Sequence, residues 1–534
     1  MVAAPALIDE PPEAFLSHLG VEGLLADTRP LAADASWLAK RGLIAAVEGT
    51  LALGGRQVSV QVGLPVDFPR GLPVVGVDPR GALAGLPHVE PDGAVCYDTR
   101  DEPLLDHRNP RGIVSEALDL AVGTLGRALQ GDRATEYANE IVAYWRTNFP
   151  EAPRIVSVLD PDDTARTVTG FFRQGERIAL ADDPDVFASF RNGRNVDRLS
   201  FVNAVYVPID PAADDPAFHP RDLATPGGVR AFVIPVLKRN RELWRKTLIH
   251  CRSGEVIVAL GVRRPAGRRG LVGLLLKRGK GAHPLDPDRL EVRRITPLWI
   301  EPADRGFLVP RGGGDLDLAK RRVLLVGCGA VGGYVAFNLV KAGVGELHLL
   351  DRDRFEHANA FRHVCGRAHV GRAKVEGLRL EIERLWPFVK VEPHAADMLG
   401  WLREHPAAFR NYDLVISALG NPTVEQRINE VAHADAGAPP VMFAWLEPLG
   451  LGGHVLLAHT GAASRGCFEC LYHHADDGAL ACRAAFAAPG GRYTRDMMGC
   501  GSQPMPFADL DAQKTAVYAA RRAIALLHGA TAGD

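Results

Sequence analysis

Cysteine is the residue type with the most chemistry to offer in this sequence. Eight cysteines in 534 residues are too few for a disulfide framework, so each is a candidate nucleophile, metal ligand or small packed residue. Cys467-Phe-Glu-Cys470 puts two thiols on one turn, a start for a tetrahedral zinc site. No second C-x-x-C follows, so Cys482, Cys500, His473 or His474 would have to complete it. Cys500, in Met498-Gly-Cys-Gly501, precedes a helical pattern over Asp511–His528. A helix N-terminus and the nearby Arg492 and Arg495 would favour its thiolate. Cys251, Cys328 and Cys365 lack partner signals and read as small packed residues.

Glycine carries the second signal. Val323-Leu-Leu-Val-Gly327-Cys-Gly329-Ala-Val-Gly332-Gly333 is an apolar strand running into a G-x-G-x-x-G turn, and Tyr334–Ala342 continues as a helix. Such a turn brings backbone N–H groups and a helix N-terminus against phosphates. The next strand, Glu346–Leu350, ends at Asp351, where a carboxylate can accept ribose hydroxyls. NAD and ATP both fit this much.

Asp351-Arg-Asp353-Arg-Phe-Glu-His-Ala-Asn359-Ala-Phe-Arg362 and Gly371-Arg-Ala-Lys374 separate them. Arg362 and Lys374 can neutralise triphosphate charge, which a hydride-transfer site need not manage, and Asn359 can position a phosphate or an attacking carboxylate. The pattern, spanning about Arg321–Gly529, resembles the adenylating domain of the ubiquitin-activating enzymes and their bacterial relatives in thiamine and molybdopterin biosynthesis. The resemblance implies ATP with Mg²⁺, the site residues Gly327, Gly329, Gly332, Asp351, Asp353, Asn359, Arg362 and Lys374, and Cys500 as a thioester-forming nucleophile. Gly420 stands where many relatives have a magnesium-binding aspartate, so metal ligation there is absent. Asp351, Asp353 or the triphosphate itself would have to hold the ion.

Leu86-Pro-His88-Val-Glu-Pro-Asp-Gly93-Ala-Val-Cys96 then gains meaning. It resembles the active-site strip of ubiquitin-conjugating enzymes, with His88 where that family has an oxyanion-supporting asparagine. An imidazole N–H can also donate to an oxyanion, or the ring can act as base for an incoming amine. The plain alternative is a half-buried strand thiol in a domain kept for binding. Asp98, Asp101 and Asp106 could orient an attacking lysine or simply solvate a loop.

These groups need elements to hold them. Ser36–Gly49 reads as an amphipathic helix, and Thr50–Leu53 with Gln57–Gly63 as a hairpin around Gly54-Gly55. Ile113–Leu129 and Glu136–Asn148 have helical spacing. Between about Arg154 and Ile300, β-rich runs at Ala231–Leu237, Glu255–Leu260 and Leu271–Leu276 alternate with loops. The expected organisation is a multidomain α/β protein. An α+β conjugating-like domain covers 1–150, a β-rich linker domain, taken as a candidate degenerate activating-like half, covers 151–316, and a Rossmann-like adenylation domain covers 317–534.

With 62 Lys+Arg against 64 Asp+Glu, net charge -2 and 47% hydrophobic residues, neither disorder nor a polyanion-binding field is indicated. We expect no nucleic-acid or membrane partner and a cytoplasmic location, since no apolar run approaches the roughly 20 residues of a membrane span. The joined modules resemble the bacterial CD-NTase-associated ubiquitin-like transferases of antiphage defence. That resemblance implies a modifier or CD-NTase-like cargo ending in Gly or Ala, a lysine-bearing target, and a homodimer formed through the adenylation domain. A sulfur-carrier adenylyltransferase, an NAD-dependent dehydrogenase and a non-catalytic scaffold are the alternatives.

Overall fold

The computed structural model describes the chain except for residues 1–9, 33–35, 84, 98–102, 174–175, 183–186, 188–199, 251–253, 266, 279–282, 284, 286–291, 459–465, 477, 489–490, 492, 495–505 and 530–534. It divides into two compact units, the first comprising 1–157, 161–182 and 199–301 and the second centred on 302–534.

The first unit begins with helix α1 (Pro12–Val21) and a four-stranded antiparallel meander, β1 (Ala26–Pro30), β2 (Leu43–Leu53), β3 (Arg56–Pro65) and β4 (Val74–Val77). The expected helix over Ser36–Gly49 is only half right. Helix α2 stops at Arg41, Gly42 takes φ +65°, and residues from Leu43 onward enter β2. A strand paired on both edges by β1 and β3 outweighs the local helical spacing there. The Gly54-Gly55 hairpin forms as expected. Helix α3 (Pro110–Gln130) packs Val114, Leu118, Ala121 and Leu125 on the sheet.

Helices α4 (Arg133–Asn139) and α5 (Ile141–Asn148) meet at Glu140 and turn the other way. Ala134, Tyr137, Ala138, Ile141 and Trp145 join the core of the segment that follows, and Trp145 Nε1 donates to the Leu298 carbonyl at 3.0 Å. That segment is a closed seven-stranded barrel made by β5 (Arg154–Ser157), β6 (Arg166–Arg173), β7 (Glu176–Ala181), β8 (Ser200–Ile209), β9 (Glu255–Val262), β10 (Gly270–Arg278) and β11 (Val292–Pro302). A second activating-like half would instead have an open parallel sheet between helices. The expected strand at Ala231–Leu237 is helical. Val229, Val233 and Leu237 recur every fourth residue along a π-helical turn (Val229–Val233) and an α-helix (Ile234–Arg239) and bury one stripe in the barrel core, so helical spacing prevails over β-branched content.

The second unit is a doubly wound sheet in the order β14-β13-β12-β15-β16-β17. β12 (Arg322–Val326), β13 (Glu346–Leu350), β14 (Lys390–His394), β15 (Leu414–Ser417) and β16 (Val441–Leu446) are parallel, and β17 (Gly453–Ala458) is antiparallel. Helices α6 (Ala330–Ala342), α7 (Lys374–Leu385), α8 (Pro422–Ala434) and α9 (Asp509–Leu527) cover it.

Candidate functional site

The connections leaving β12 diverge, with β13 pairing on one side and β15 on the other. A crevice therefore opens beyond Val326, the place where doubly wound sheets bind ligands. Gly327, Asp351 and Ala418–Gly420 border it, being the continuations of β12, β13 and β15.

Each border is tied to the next by hydrogen bonds. Asp351 is buried, and its two carboxylate oxygens accept from Cys328 N at 2.7 Å and Asp353 N at 2.8 Å. A Cβ on Gly332 would stand 1.9 Å from the Gly327 carbonyl oxygen, so the turn closes only on glycine. At Gly329, which caps α6, a Cβ would meet nothing within 4 Å, and this is the open side that a phosphate can approach.

Two buried polar groups that carry no motif complete the frame. His363 Nε2 donates to the Cys328 carbonyl at 2.8 Å, and burial pulls its pKa down to about 4. Glu425, under the loop after β15, accepts from Ser417 Oγ at 2.8 Å, and the backbone of Leu419 and Gly420 also hydrogen-bonds to it. Burial nevertheless pushes its carboxyl up to about 7. Cys328 and Cys365 are buried, as expected, and burial raises both thiols, Cys365 to about 12.

Lys374 lies at the start of α7, and its Nζ donates to Asp353 Oδ2 at 2.8 Å. Asn359 Oδ1 accepts from Glu356 N at 3.0 Å, and the Arg362 amide in turn donates to the Asn359 carbonyl. The Arg362 guanidinium lies over the Phe507 ring. Gly327, Gly329, Gly332, Asp351 and Asp353 thus stand together at the carboxyl ends of β12 and β13, tied by hydrogen bonds, with Lys374 ion-paired to Asp353.

Cys467 and Cys470 have their sulfurs 3.8 Å apart, about the S···S edge of a tetrahedral site with Zn–S bonds near 2.3 Å. Among the described residues no group of three or more candidate ligands surrounds them. Cys500, Arg492, Arg495, Cys251, Asp98 and Asp101 lie outside the described residues.

In the first unit, Cys96 is exposed at the end of the Leu86–Cys96 strip. Val89 pairs with Val95, Cys96 N donates to the His88 carbonyl at 2.8 Å, and Gly93 makes the turn at φ +92°. A Cβ on Gly93 would fall 2.1 Å from the Val77 carbonyl oxygen. Arg41 clamps this turn, donating to Asp92 at 2.6 and 2.9 Å and to Glu90 at 2.5 Å. Burial pushes the Asp92 carboxyl up, but the Arg41 bonds outweigh it and leave its pKa below the ordinary value.

His88 has φ +65°, and its N–H donates to Tyr144 Oη at 2.5 Å. Its ring nitrogens lie 3.8 Å from Glu136 and 3.9 Å from Glu140. Tyr137 Oη donates to the Gly85 carbonyl. Sequence reading missed Arg41, Tyr137 and Tyr144, which stand about fifty residues from the strip; a tyrosine spaced seven residues from another along two helices was their only trace.

Among the described residues no helix is long and apolar enough to cross a membrane. Residues 308–494 match the ThiF family and residues 31–153 match prokaryotic E2 family B. The ATP-dependent ubiquitin transferase-like protein Cap2 of Pseudomonas aeruginosa (strain BWHPSA011 / Pa011) is 26% identical over 414 residues, covering 73% of this chain and 71% of the relative. The adenylyltransferase and sulfurtransferase uba4 of Aspergillus clavatus is 37% identical over 131 residues; that match spans 24% of this chain and 26% of uba4.

Of solved structures, E. coli MccB aligns over 41% of this chain and 57% of its own, at 20% identity and TM-score 0.31. PaaA aligns over 40% and 57%, at 22% identity and TM-score 0.28, so the chain spans little more than half the length of these structures. The chain thus joins a prokaryotic E2-like domain to a ThiF-type adenylation domain, is similar over most of its length to an ATP-dependent ubiquitin transferase-like protein, and is an enzyme of ubiquitin-like activation and conjugation.

Proposed function

We propose that this chain activates the C-terminal carboxylate of a protein modifier with ATP, carries it as a thioester on Cys500 and then Cys96, and delivers it to a lysine amine. The observation that carries this reading is the pairing, on one polypeptide, of a glycine-loop crevice beside an ion-paired lysine with an exposed cysteine on an E2-like strip. A carboxylate has no usable leaving group, so it must first be adenylated. Its oxygen attacks the α-phosphorus and pyrophosphate departs, Arg362 and Lys374 supplying the positive charge that balances the phosphates. A thiolate then displaces AMP, a second thiolate displaces the first, and an amine displaces the second.

The residues suit nucleotide and metal. Asp351 is buried and each of its oxygens already accepts from a backbone amide, so the half-exposed Asp353 is the carboxylate we assign to hold Mg²⁺ and to accept from the ribose when the nucleotide is bound. Mg²⁺ supplies charge neutralisation on the phosphates. Cys467 and Cys470 are the candidate zinc pair. We assign 1–150 to the conjugating-like domain, 151–316 to a linker domain and 317–534 to the adenylation domain. The protein works in the cytoplasm as a homodimer through that last domain, with a CD-NTase-like cargo ending in Gly or Ala, in antiphage defence.

Purified full-length protein, incubated with ATP and candidate partners ending in Gly or Ala, is resolved on non-reducing and reducing gels for wild type, Cys96→Ala and Cys500→Ala. A reducible adduct that is lost in Cys500→Ala, and that reaches Cys96 only when Cys500 is present, establishes the relay. Pyrophosphate release with no thiol-sensitive adduct for any partner favours a sulfur-carrier adenylyltransferase, to which the uba4 match points.

A further inference from the structure

We propose that the cleft beside Cys96 receives the acceptor lysine, with Glu140 taking its ammonium group, and that the barrel segment bearing His219 and Arg221 selects which lysines enter. The inference rests on the conjugating reading above and deepens it.

Cys96 opens onto a cleft of about 470 Å³. One wall is the strip itself, with His88. The facing wall is α4–α5, with Tyr137, Glu140 and Tyr144, and a third side carries His219 and Arg221. Because α4 and α5 pack in the same barrel core as Phe218 and Leu223, which flank His219 and Arg221, the two later walls share one support. The barrel is therefore part of the site and more than a spacer.

The chemistry of the walls matches a lysine. The rings of Tyr137, Tyr144 and His219 form a chain of edge-on contacts at 4.9 and 4.8 Å, an aromatic face for the methylene stem. Burial raises the pKa of both tyrosines and lowers that of His219, so none of the three adds charge to this face near neutral pH. Glu140 lies 3.9 Å from His88 Nδ1, beyond a normal hydrogen bond, and keeps acceptor capacity for an ammonium. Arg221, exposed at the rim with its Nε donating to Asn148 Oδ1 at 2.7 Å, favours a lysine with an acidic neighbour and repels one with a basic neighbour.

In the transfer step the ammonium gives one proton to the His88 imidazole. Its nitrogen then bonds to the thioester carbonyl carbon, the C–S bond breaks, and the second proton follows to the Cys96 sulfur. The products are an amide, a free thiol and an imidazolium.

The test needs no modifier. Full-length protein is acylated on Cys96 by transthiolation from the mercaptoethanesulfonate thioester of N-acetylglycine, and the site is mapped by mass spectrometry. Discharge is timed with Ac-Asp-Lys-NH₂, Ac-Arg-Lys-NH₂ and hydroxylamine. We expect Glu140→Gln to slow lysine discharge about tenfold, the worth of a charge-assisted hydrogen bond, and hydroxylamine discharge by less than about twofold. Arg221→Glu should reverse the preference for the Asp-Lys over the Arg-Lys peptide. Equal slowing of both nucleophiles by Glu140→Gln, or no slowing, overturns the pocket, and an unchanged peptide preference in Arg221→Glu removes the barrel from it. If Cys96 takes up no acyl group while iodoacetamide still alkylates it, the conjugating reading itself falls and the pocket with it.

Discussion

The turn at Gly327–Gly332 and the strip ending at Cys96 each present a small reactive edge, yet they are fixed by opposite means. The glycine turn is fastened from beneath by Asp351 and His363, and the loop after β15 beside it by Glu425, all three buried among apolar strands and helices. The Cys96 strip is fastened from its flanks, by the part-exposed Arg41 cluster on one side and by tyrosines of α4 and α5 on the other. Buried polar contacts make a turn rigid at the cost of sensitivity to any lost partner. Flank contacts leave a thiol reachable and make its setting depend on helices that pack in the barrel core.

Substitutions should separate the two. The largest effect is expected from Gly332→Ala, since its Cβ would collide with the Gly327 carbonyl oxygen. ATP–pyrophosphate exchange should be lost, while thiol uptake at Cys96 from a small thioester stays at the wild-type rate. Lys374→Ala should come next, lowering exchange about 100-fold or more, as removal of a charge-stabilising donor does; an exchange rate within about threefold of wild type would remove Lys374 from the site.

Asp351→Asn should destabilise the second unit by about 1–3 kcal/mol, because one of two backbone amides loses its acceptor. Thermal unfolding measures this. Tyr144→Phe should slow transfer from Cys96 by a few-fold, a hydrogen bond worth about 1 kcal/mol, with exchange unchanged. Arg41→Ala should have the smallest effect, under about 1 kcal/mol and weaker still in high salt, since its ion pairs are part-exposed.

The buried groups of the second unit also set a pH dependence. Glu425 has a folded pKa of about 7, above its ordinary 4.5, so its protonated form is favoured by folding, and stability falls as pH rises from 4.5 to 7. His363 has a folded pKa of about 4, below 6.5, so stability falls as pH drops from 6.5 to 4. The two slopes oppose each other between about 4.5 and 6.5. Glu425→Gln should therefore expose a steeper acid loss in the melting temperature, and an unchanged profile would sink the assignment.

The contrast also explains what could be anticipated from residue order alone. The nucleotide crevice is built mostly from a strand, a turn and the next strand end, so Gly327, Gly329, Gly332 and Asp351 announce themselves within 25 residues. Even so, Asp351 proved to hold backbone instead of facing outward, which type and spacing do not reveal. His363 and Glu425 were invisible because a buried histidine and a buried glutamate carry no motif.

At Cys96 the thiol was legible but its surroundings were not. Tyr144 reaches His88 across 56 residues, and Arg41 reaches Asp92 across 51. The helix expected through Gly49 and the strand expected at Ala231–Leu237 failed for one reason: tertiary pairing and burial outweighed local preference.

The ion pair between Lys374 and Asp353 has a further consequence. An anion arriving at Lys374 must evict a carboxylate that is already in place at 2.8 Å, on the same chain and at no loss of translational freedom. On the proposed reading, a triphosphate accompanied by a divalent ion would give Asp353 a new cation as it takes the old one away, so the resting pair would favour a metal-bound nucleotide over a bare anion.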